Sequence, residues 1–148
     1  MSRILVSIIF FSIFVTTAAV AGSDPIKARH HLMEETRDAA KVIGGMVKGE
    51  KPFDAEAAMS ALKVWKKTAV EAGDLFPEGS ETGQDTEAKS TIWTDRAGFD
   101  EKLAEFNTKV DEAIAAKPDS VDALKAVAGP VFQSCKGCHD GYRVEKED

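Results

Sequence analysis

Residues 121–142 read VDALKAVAGPVFQSCKGCHDGY, and one spacing runs through the whole stretch. Apolar or sulfur-bearing side chains recur at alternating steps of three and four residues: Val121, Leu124, Ala128, Val131, Cys135, Cys138 and Tyr142. A mean step of about 3.5 forms one stripe of a helix, the seam along which nearly parallel or antiparallel helices pack. Pro130 interrupts the run, and it predicts either a kink or a helix that begins later.

Three further helical runs precede this one. The first begins at Asp24-Pro25, where an N-cap residue is followed by proline at the first helical position, and it ends near Lys48-Gly49. The second is capped by Asp54 and closed by Gly73, and the third carries apolar residues from Phe99 to Ile114. After residue 21, no stretch shows the alternating pattern of a strand.

A long connection, residues 74–96, separates the second and third helical runs. It contains proline, glycine, serine and threonine with little periodicity, which is typical of a loop that crosses one end of a bundle. Trp93, near its end, is expected to turn inward. Together the four helices and their connections predict an all-α fold, an antiparallel up-down-up-down four-helix bundle.

The N-terminal segment has the features of an export signal. Residues 1–21 combine Arg3, an apolar run and the small residues Ala19 and Ala21, and we expect cleavage after Ala21. Residues 22–148 then form a single domain in which no other stretch is long enough to span a membrane. The formal net charge of −6 makes nucleic acid a poor partner.

The only two cysteines, Cys135 and Cys138, allow several chemistries. A disulfide between them would close a very small loop and constrain the unfolded chain little. A thioredoxin-like site requires a strand-to-helix junction, and a zinc site requires about four ligands, so His30 or His31 would have to join His139. The pattern C-x-x-C-H is also typical of covalent haem attachment, and in an exported chain we favour that interpretation.

Haem attachment explains the spacing in chemical terms. Each thiol adds across one haem vinyl group to form a thioether, and the imidazole of the next residue reaches the iron from the same helix. One helical turn therefore has to serve two vinyl carbons and the metal, and Cys135, Cys138 and His139 all lie within the buried sector of the fourth helix.

The motif and two longer segments resemble one known family. CKGCHDGYR (135–143), LMEETRDAAKVIGGMVKGEKPFD (32–54) and IWTDRAGFDEKLAEF (92–106) are similar to class II c-type cytochromes, the cytochrome c′ family and its low-spin c-556 members. The resemblance implies one covalently attached haem c inside one end of the bundle. It also implies thioethers at Cys135 and Cys138, with His139 as the proximal iron ligand. It further implies a periplasmic protein, and either a monomer or a homodimer.

The sixth iron position decides between two functions within that family. An apolar distal residue leaves the iron five-coordinate and open to gases, whereas a distal methionine completes the low-spin coordination of an electron carrier. His139 lies roughly 6 Å from the end of the fourth helix, and Met33 lies about 12 Å from the start of the first. Met46 lies roughly 32 Å along the first helix, and Met59 begins the second, so both are predicted at the opposite end.

Met33 is therefore the predicted distal ligand, and methionine as ordinary core filling is the alternative. His30 and His31 are weaker rivals for the same position. Three further residues are predicted to contact the haem: Arg29 at a propionate, Arg143 near the proximal histidine or a propionate, and Trp93 at the haem edge. The alternatives are a surface arginine for Arg29 and ordinary core for Trp93.

The sequence thus predicts an exported monohaem cytochrome that carries single electrons between redox partner proteins. No nucleophile–base pair is evident outside the haem site, so the sequence does not predict an enzyme. The acidic balance predicts a basic docking patch on the partner. The alternatives are a five-coordinate protein that binds NO or CO, and a haem-free metal or thiol-redox bundle built on the two cysteines.

Overall fold

The computed structural model describes residues 24–83 and 85–144. Its four long helices and one single-turn helix are α1 (Pro25–Val47), α2 (Ala55–Glu71), α3 (Thr91–Thr94), α4 (Arg96–Ala116) and α5 (Val121–Tyr142). The Asp24 carboxylate accepts a hydrogen bond from the Ile26 amide (3.0 Å), and Asp54 accepts from the Glu56 amide (2.9 Å). These side chains satisfy amide groups that have no partner within the first turn of each helix.

The four long helices form a ring of antiparallel neighbours. α1 packs on α2, α2 on α4 and α4 on α5, while α5 returns to α1 through the loosest of the four seams. The α1–α2 and α4–α5 connections are short, and the α2–α4 connection is the long one. The predicted all-α, up-down-up-down four-helix bundle is therefore confirmed.

The hydrophobic core fills the half of the bundle that contains the two short connections. Trp65, Leu62 and Leu124 are completely buried there, and the Trp65 ring meets Phe132 edge-on at 5.2 Å. The same cluster includes Ile43, Met46, Val110 and Val131. Thus α1 and α5 each contribute about half of their length to this core, and the other half of each helix lies toward the opposite end.

One of the two alternatives predicted at Pro130 does not hold for helix α5. Ser120 caps it, the helix begins at Val121, and it continues through Pro130, so the alternative of a later start is wrong. Pro130 and Ala126, whose carbonyl loses the bond that proline cannot make, are both exposed. Water can replace the missing hydrogen bond at that position, which explains why the helix tolerates the proline.

The long connection is more ordered than its composition suggests. A 3-10 turn, Ala72–Leu75, extends α2 past Gly73, the residue predicted to close it. The crossing loop (residues 76–90) then leads into α3, and Ala88 forms an isolated antiparallel bridge with Arg143. Among the helices of the described residues, none is both long and apolar enough to cross a membrane. The predicted signal segment, residues 1–21, lies outside the described residues.

Candidate haem site

The C-x-x-C-H turn lies in the last third of α5, on the side that faces the bundle. Cys135, Cys138 and His139 are each half-buried, and both thiols are free. One turn earlier, Val131 is completely buried. The structure therefore brings the three predicted site residues together on one helical turn, at the boundary between the closed core and the opposite end of the bundle.

Burial sets the protonation states of these three side chains. It raises the pKa of Cys135 to about 11 and also raises the pKa of Cys138, which Lys102 partly opposes. It lowers the pKa of His139, and the nearby Arg143 charge lowers it further. At neutral pH the imidazole is therefore neutral and has a lone pair for a metal, while the thiols are protonated.

Protonated, half-buried thiols are poorly suited to the thiol-redox alternative. Thiol–disulfide exchange requires a thiolate, which apolar surroundings disfavour. Within residues 24–83 and 85–144, no group of three or more His, Cys, Asp or Glu side chains is placed to hold a metal ion. His30 and His31 are exposed on α1, and His31 lies 3.3 Å from the Glu35 carboxylate.

The three methionines of the described part of the chain occupy different ends. Met33 is half-buried in the N-terminal half of α1. Met46 is buried in the core, and its sulfur accepts a hydrogen bond from the Asp54 amide at 3.3 Å. Met59 borders a shallow depression shared with Lys117 at the α4–α5 connection. Only Met33 of these three lies at the end of the bundle that contains His139.

Arg29, one turn before Met33, is tied to the crossing loop. The residue is only 4% exposed, so the alternative of a surface arginine is wrong. It donates to the Leu75 carbonyl (2.9 Å), to the Ser80 hydroxyl (2.9 Å) and carbonyl (2.8 Å), and to the Thr86 hydroxyl (3.1 Å). Burial lowers its pKa, against the opposing charges of Asp24 and Glu81. The propionate contact of Arg29 stays a prediction.

The same loop holds the C-terminal end of α5. The Lys89 amide donates to the Tyr142 carbonyl (3.0 Å), the Lys89 ammonium to the Asp140 carbonyl (3.0 Å), and the Thr91 hydroxyl to the Gly141 carbonyl (3.2 Å). Sequence reasoning missed these residues, because carbonyl partners leave no periodic signal. The only feature of the sequence that could have indicated these hydrogen bonds is the threonine content of the loop.

A row of aromatic rings lines this end of the bundle. Trp93 packs on Phe76 (6.0 Å), Phe76 on Phe99 (4.9 Å) and Phe99 on Tyr142 (5.4 Å), all edge to face. Trp93 is half-buried, as predicted for a side chain that turns inward, and its indole N–H donates to the Pro77 carbonyl at 3.1 Å. Its contact with a haem edge stays a prediction.

Tyr142 and Arg143 complete the turn that follows His139. The Tyr142 hydroxyl donates to Asp95, the N-cap of α4, at 2.8 Å, and this bond raises the pKa of Tyr142 to about 12. Arg143 is exposed, and its backbone pairs with Ala88. A haem contact from its side chain stays a prediction.

The chemistry of these residues fits a covalently attached haem. Two thiols and a neutral imidazole lie on one turn of α5, and a half-buried methionine lies on α1 at the same end of the bundle. The α1–α5 seam is the loosest in the bundle. The sulfur-bearing side chains of these helices at this end, Met33, Cys135 and Cys138, are half-buried rather than fully buried. A planar cofactor between α1 and α5 would cover them.

The protein-family model described as Cytochrome C′ matches residues 24–143, nearly all of the described chain. The chain belongs to the cytochrome c′ family. It therefore carries one covalently attached haem c, in a family of monohaem cytochromes that are generally electron-transfer or gas-binding proteins rather than enzymes. Members of the cytochrome c′ family are periplasmic proteins.

Relatives within the cytochrome c′ family bear both names that the sequence suggested. Cytochrome c-556 of Rhodopseudomonas palustris is 33% identical over 88% of this chain and 90% of that protein. Cytochrome c′ of the same organism is 36% identical over 86% of this chain and 87% of that protein.

Solved structures agree with the fold. The structure of the R. palustris cytochrome c′ has a TM-score of 0.81 and 33% identity, covering 85% of this chain and all of that one. An NMR-validated structural model of oxidised R. palustris cytochrome c556 has a TM-score of 0.76 and 32% identity. The match covers 84% of this chain and 98% of that chain.

Proposed function

We propose that this protein is a periplasmic electron carrier with a low-spin haem held by Cys135 and Cys138 and ligated axially by His139 and Met33. The position of Met33 carries this proposal. Of the methionines in residues 24–83 and 85–144, it alone lies at the His139 end, half-buried on α1, whose packing against α5 is the loosest in the bundle. Met46 already accepts a hydrogen bond in the core, and Met59 lies at the other end.

The proposed ligand pair suits single-electron transfer. Bound haem supplies a one-electron iron couple, and a methionine ligand raises its reduction potential relative to a second histidine. His139 offers a neutral imidazole because burial lowers its pKa. Two ligands on rigid, antiparallel helices also limit structural rearrangement when the charge of the site changes.

A second candidate function, binding of NO or CO, is favoured by one observation. Relatives of comparable identity include proteins named cytochrome c′. One solved structure, 30% identical with a TM-score of 0.72, is a nitric oxide complex of a cytochrome c′ mutant from Alcaligenes xylosoxidans. In this alternative Met33 only fills the distal side, and its sulfur does not bind the iron.

Optical spectra of the holoprotein separate the two functions. We expect the ferric wild type to be low-spin with a sulfur-to-iron band, and Met33→Leu to lose that band and become high-spin. Met59→Leu, a substitution of the same kind at the opposite end, is the matched control and should leave the spectrum unchanged. A high-spin wild type that Met33→Leu does not alter would establish the gas-binding alternative instead.

The charge distribution indicates how the carrier meets its partner. Residues 24–36, 67–105 and 132–144, the end that contains His139, carry 14 acidic and 8 basic side chains. Residues 37–66 and 106–131, the opposite end, carry 8 acidic and 9 basic side chains. The negative charge is thus concentrated around the proposed haem, so a basic patch on the partner would be steered toward it.

Ionic strength tests this docking arrangement. Electron exchange with a cationic redox reagent should slow as salt is raised, because screening weakens attraction between separated surface charges. Glu101→Lys, at the acidic end, should lower the rate at low salt more than Glu56→Lys at the other end. A rate independent of salt, or equal effects of the two variants, would contradict steering to this end.

Export is the remaining part of the proposal. Residues 1–21 have the composition of a cleaved signal, and the family is periplasmic. The intact mass of the haem protein purified from the periplasm should correspond to a chain that begins at Gly22. A mass that includes residues 1–21 would contradict cleavage.

A further inference from the structure

We infer that the crossing loop (residues 76–90) sets the distance between Met33 and the His139 turn, and that Ser80 and Thr86 are positioning residues for the sixth iron ligand. This inference rests on the proposed ligation by Met33. Neither residue would touch the haem iron; each would act through Arg29, one helical turn before Met33.

On the α1 side, the loop binds the buried guanidinium of Arg29. Arg29 is 4% exposed and donates four hydrogen bonds to Leu75, Ser80 and Thr86. The guanidinium also lies over the Phe76 ring, 4.7 Å from its centre. A buried donor that loses its acceptor is not rescued by bulk water, so α1 is held firmly to the loop at this position.

On the α5 side, the loop caps the turn that contains His139. The last carbonyls of a helix have no partner within the helix, and here Asp140, Gly141 and Tyr142 receive hydrogen bonds from Lys89 and Thr91. The Val144 amide returns a bond to the Glu87 carbonyl at 2.7 Å. The end of α5 is therefore held by Glu87 and Lys89 of the loop and by Thr91, the first residue of α3.

The backbone that joins the Arg29 contacts to the α5 contacts is short and stiff. Thr86 and Lys89 are three residues apart, so the backbone between them spans at most about 10 Å. The Thr86 amide donates to the Gly83 carbonyl (3.0 Å), and the Ala88 amide donates to the Thr86 hydroxyl (3.3 Å). Because direct packing between α1 and α5 is the loosest in the bundle, this link supplies much of the constraint between them.

A bond between a methionine sulfur and iron depends on that constraint. Ligand side chains have to be held within about 0.5 Å of their working positions by the residues that support them. If the loop detaches from Arg29, α1 can move away from α5, and the Met33 sulfur leaves the iron more often. The spin state should therefore respond to side chains that never contact the cofactor.

The test compares hydroxyl deletions in the intact holoprotein. Thr86→Val and Ser80→Ala each remove one acceptor of Arg29, whereas Thr86→Ser keeps the hydroxyl and should behave as wild type. Thr94→Val is the matched control, since its hydroxyl makes only a local, exposed contact with the Ser90 carbonyl at 3.5 Å. Two measurements are made: the sulfur-to-iron band of the ferric form and the rate of CO association with the ferrous form.

Each deletion removes the bond to Arg29 and one local bond, from the Ala88 amide to Thr86 or from Ser80 to the Pro77 carbonyl. Loss of the Arg29 bond should increase the fraction of detached Met33 by roughly fivefold to tenfold. We therefore expect Thr86→Val and Ser80→Ala to weaken the sulfur-to-iron band and to speed CO association by that factor, and their combination to do more. Thr94→Val should stay within about twofold of wild type, as a surface change would. Deletion variants with wild-type spectra and CO rates would overturn the inference.

Hydrogen exchange distinguishes failure of this inference from failure of the proposed function. A wild type without a sulfur-to-iron band would end the proposal of Met33 ligation and, with it, the positioning role. In that case Thr86→Val should still speed exchange at the Lys89 amide, which donates to Tyr142. Unchanged exchange there would show that the loop does not tie α1 to α5 at all.

Discussion

Gly98, in the first turn of α4, has no room for a side chain. A Cβ added there would meet the Tyr142 hydroxyl at 2.6 Å and also the Asp95 carboxylate. The Tyr142 hydroxyl is hydrogen-bonded to that carboxylate, and its ring packs on Phe99, so neither group can move aside without losing a contact. Gly98→Ala should therefore force apart the contact between α4 and the end of α5.

The magnitude follows from two opposing terms. Adding a methyl group to a filled site typically costs about 1–3 kcal/mol. Alanine is better than glycine within a helix by up to about 1 kcal/mol. We expect Gly98→Ala to lower the free energy of unfolding by about 1 kcal/mol net, taking the middle of the first range and subtracting the helix preference of alanine.

Gly44→Ala is the control, because an added Cβ at Gly44 would meet nothing within 4 Å. It should raise the free energy of unfolding by up to about 1 kcal/mol, so the two variants should differ by roughly 2 kcal/mol. The assay is urea unfolding of the holoprotein followed by far-UV circular dichroism. If Gly98→Ala proved as stable as Gly44→Ala, the argument from this close contact would be refuted.

Three further predictions concern single side chains. Tyr142 is the only tyrosine, so phenolate absorbance of the ferrous protein reports it alone, and the midpoint should lie near 12. Because this folded pKa exceeds the ordinary value of 10, the stability it contributes is complete below pH 10 and lost as pH rises to 12; a folded midpoint near 10 would contradict the Asp95 bond. Leu124→Ala, in the completely buried core, should lower the free energy of unfolding by about 2–5 kcal/mol without changing the haem spectrum, and a changed spectrum would show that the core and the site are coupled. Asp54→Ala removes the N-cap of α2 and should cost about 1 kcal/mol in urea unfolding, whereas Asp54→Ser should stay near wild type.

The helices were predictable because their signals are local. Asp24 and Asp54 cap helices at the predicted positions, and the apolar steps of three and four mark the buried faces. The sequence allowed two starts for α5 because proline is normally a helix breaker. Its tolerance depends on which face of the helix meets water, and that is set by packing against the rest of the bundle.

The crossing loop was the part that local signals could not resolve. Its hydrogen bonds join residues about 50 positions apart, such as Arg29 with Ser80 and Lys89 with Asp140. No periodicity predicts such pairs, because each one depends on how the loop lies across the finished bundle. For the same reason Arg29 could be interpreted from sequence as a surface residue, although the structure buries it.

The sequence by itself determined the four helices and the attachment motif, because helix formation and the spacing of Cys135, Cys138 and His139 are properties of neighbouring residues. Only the tertiary structure decided which side chains meet across the bundle. It enclosed Arg29 within the loop and joined Tyr142 to Asp95. The physical reason is that these contacts arise from the packing of distant segments, where burial and hydrogen-bond satisfaction are settled for the whole bundle at once.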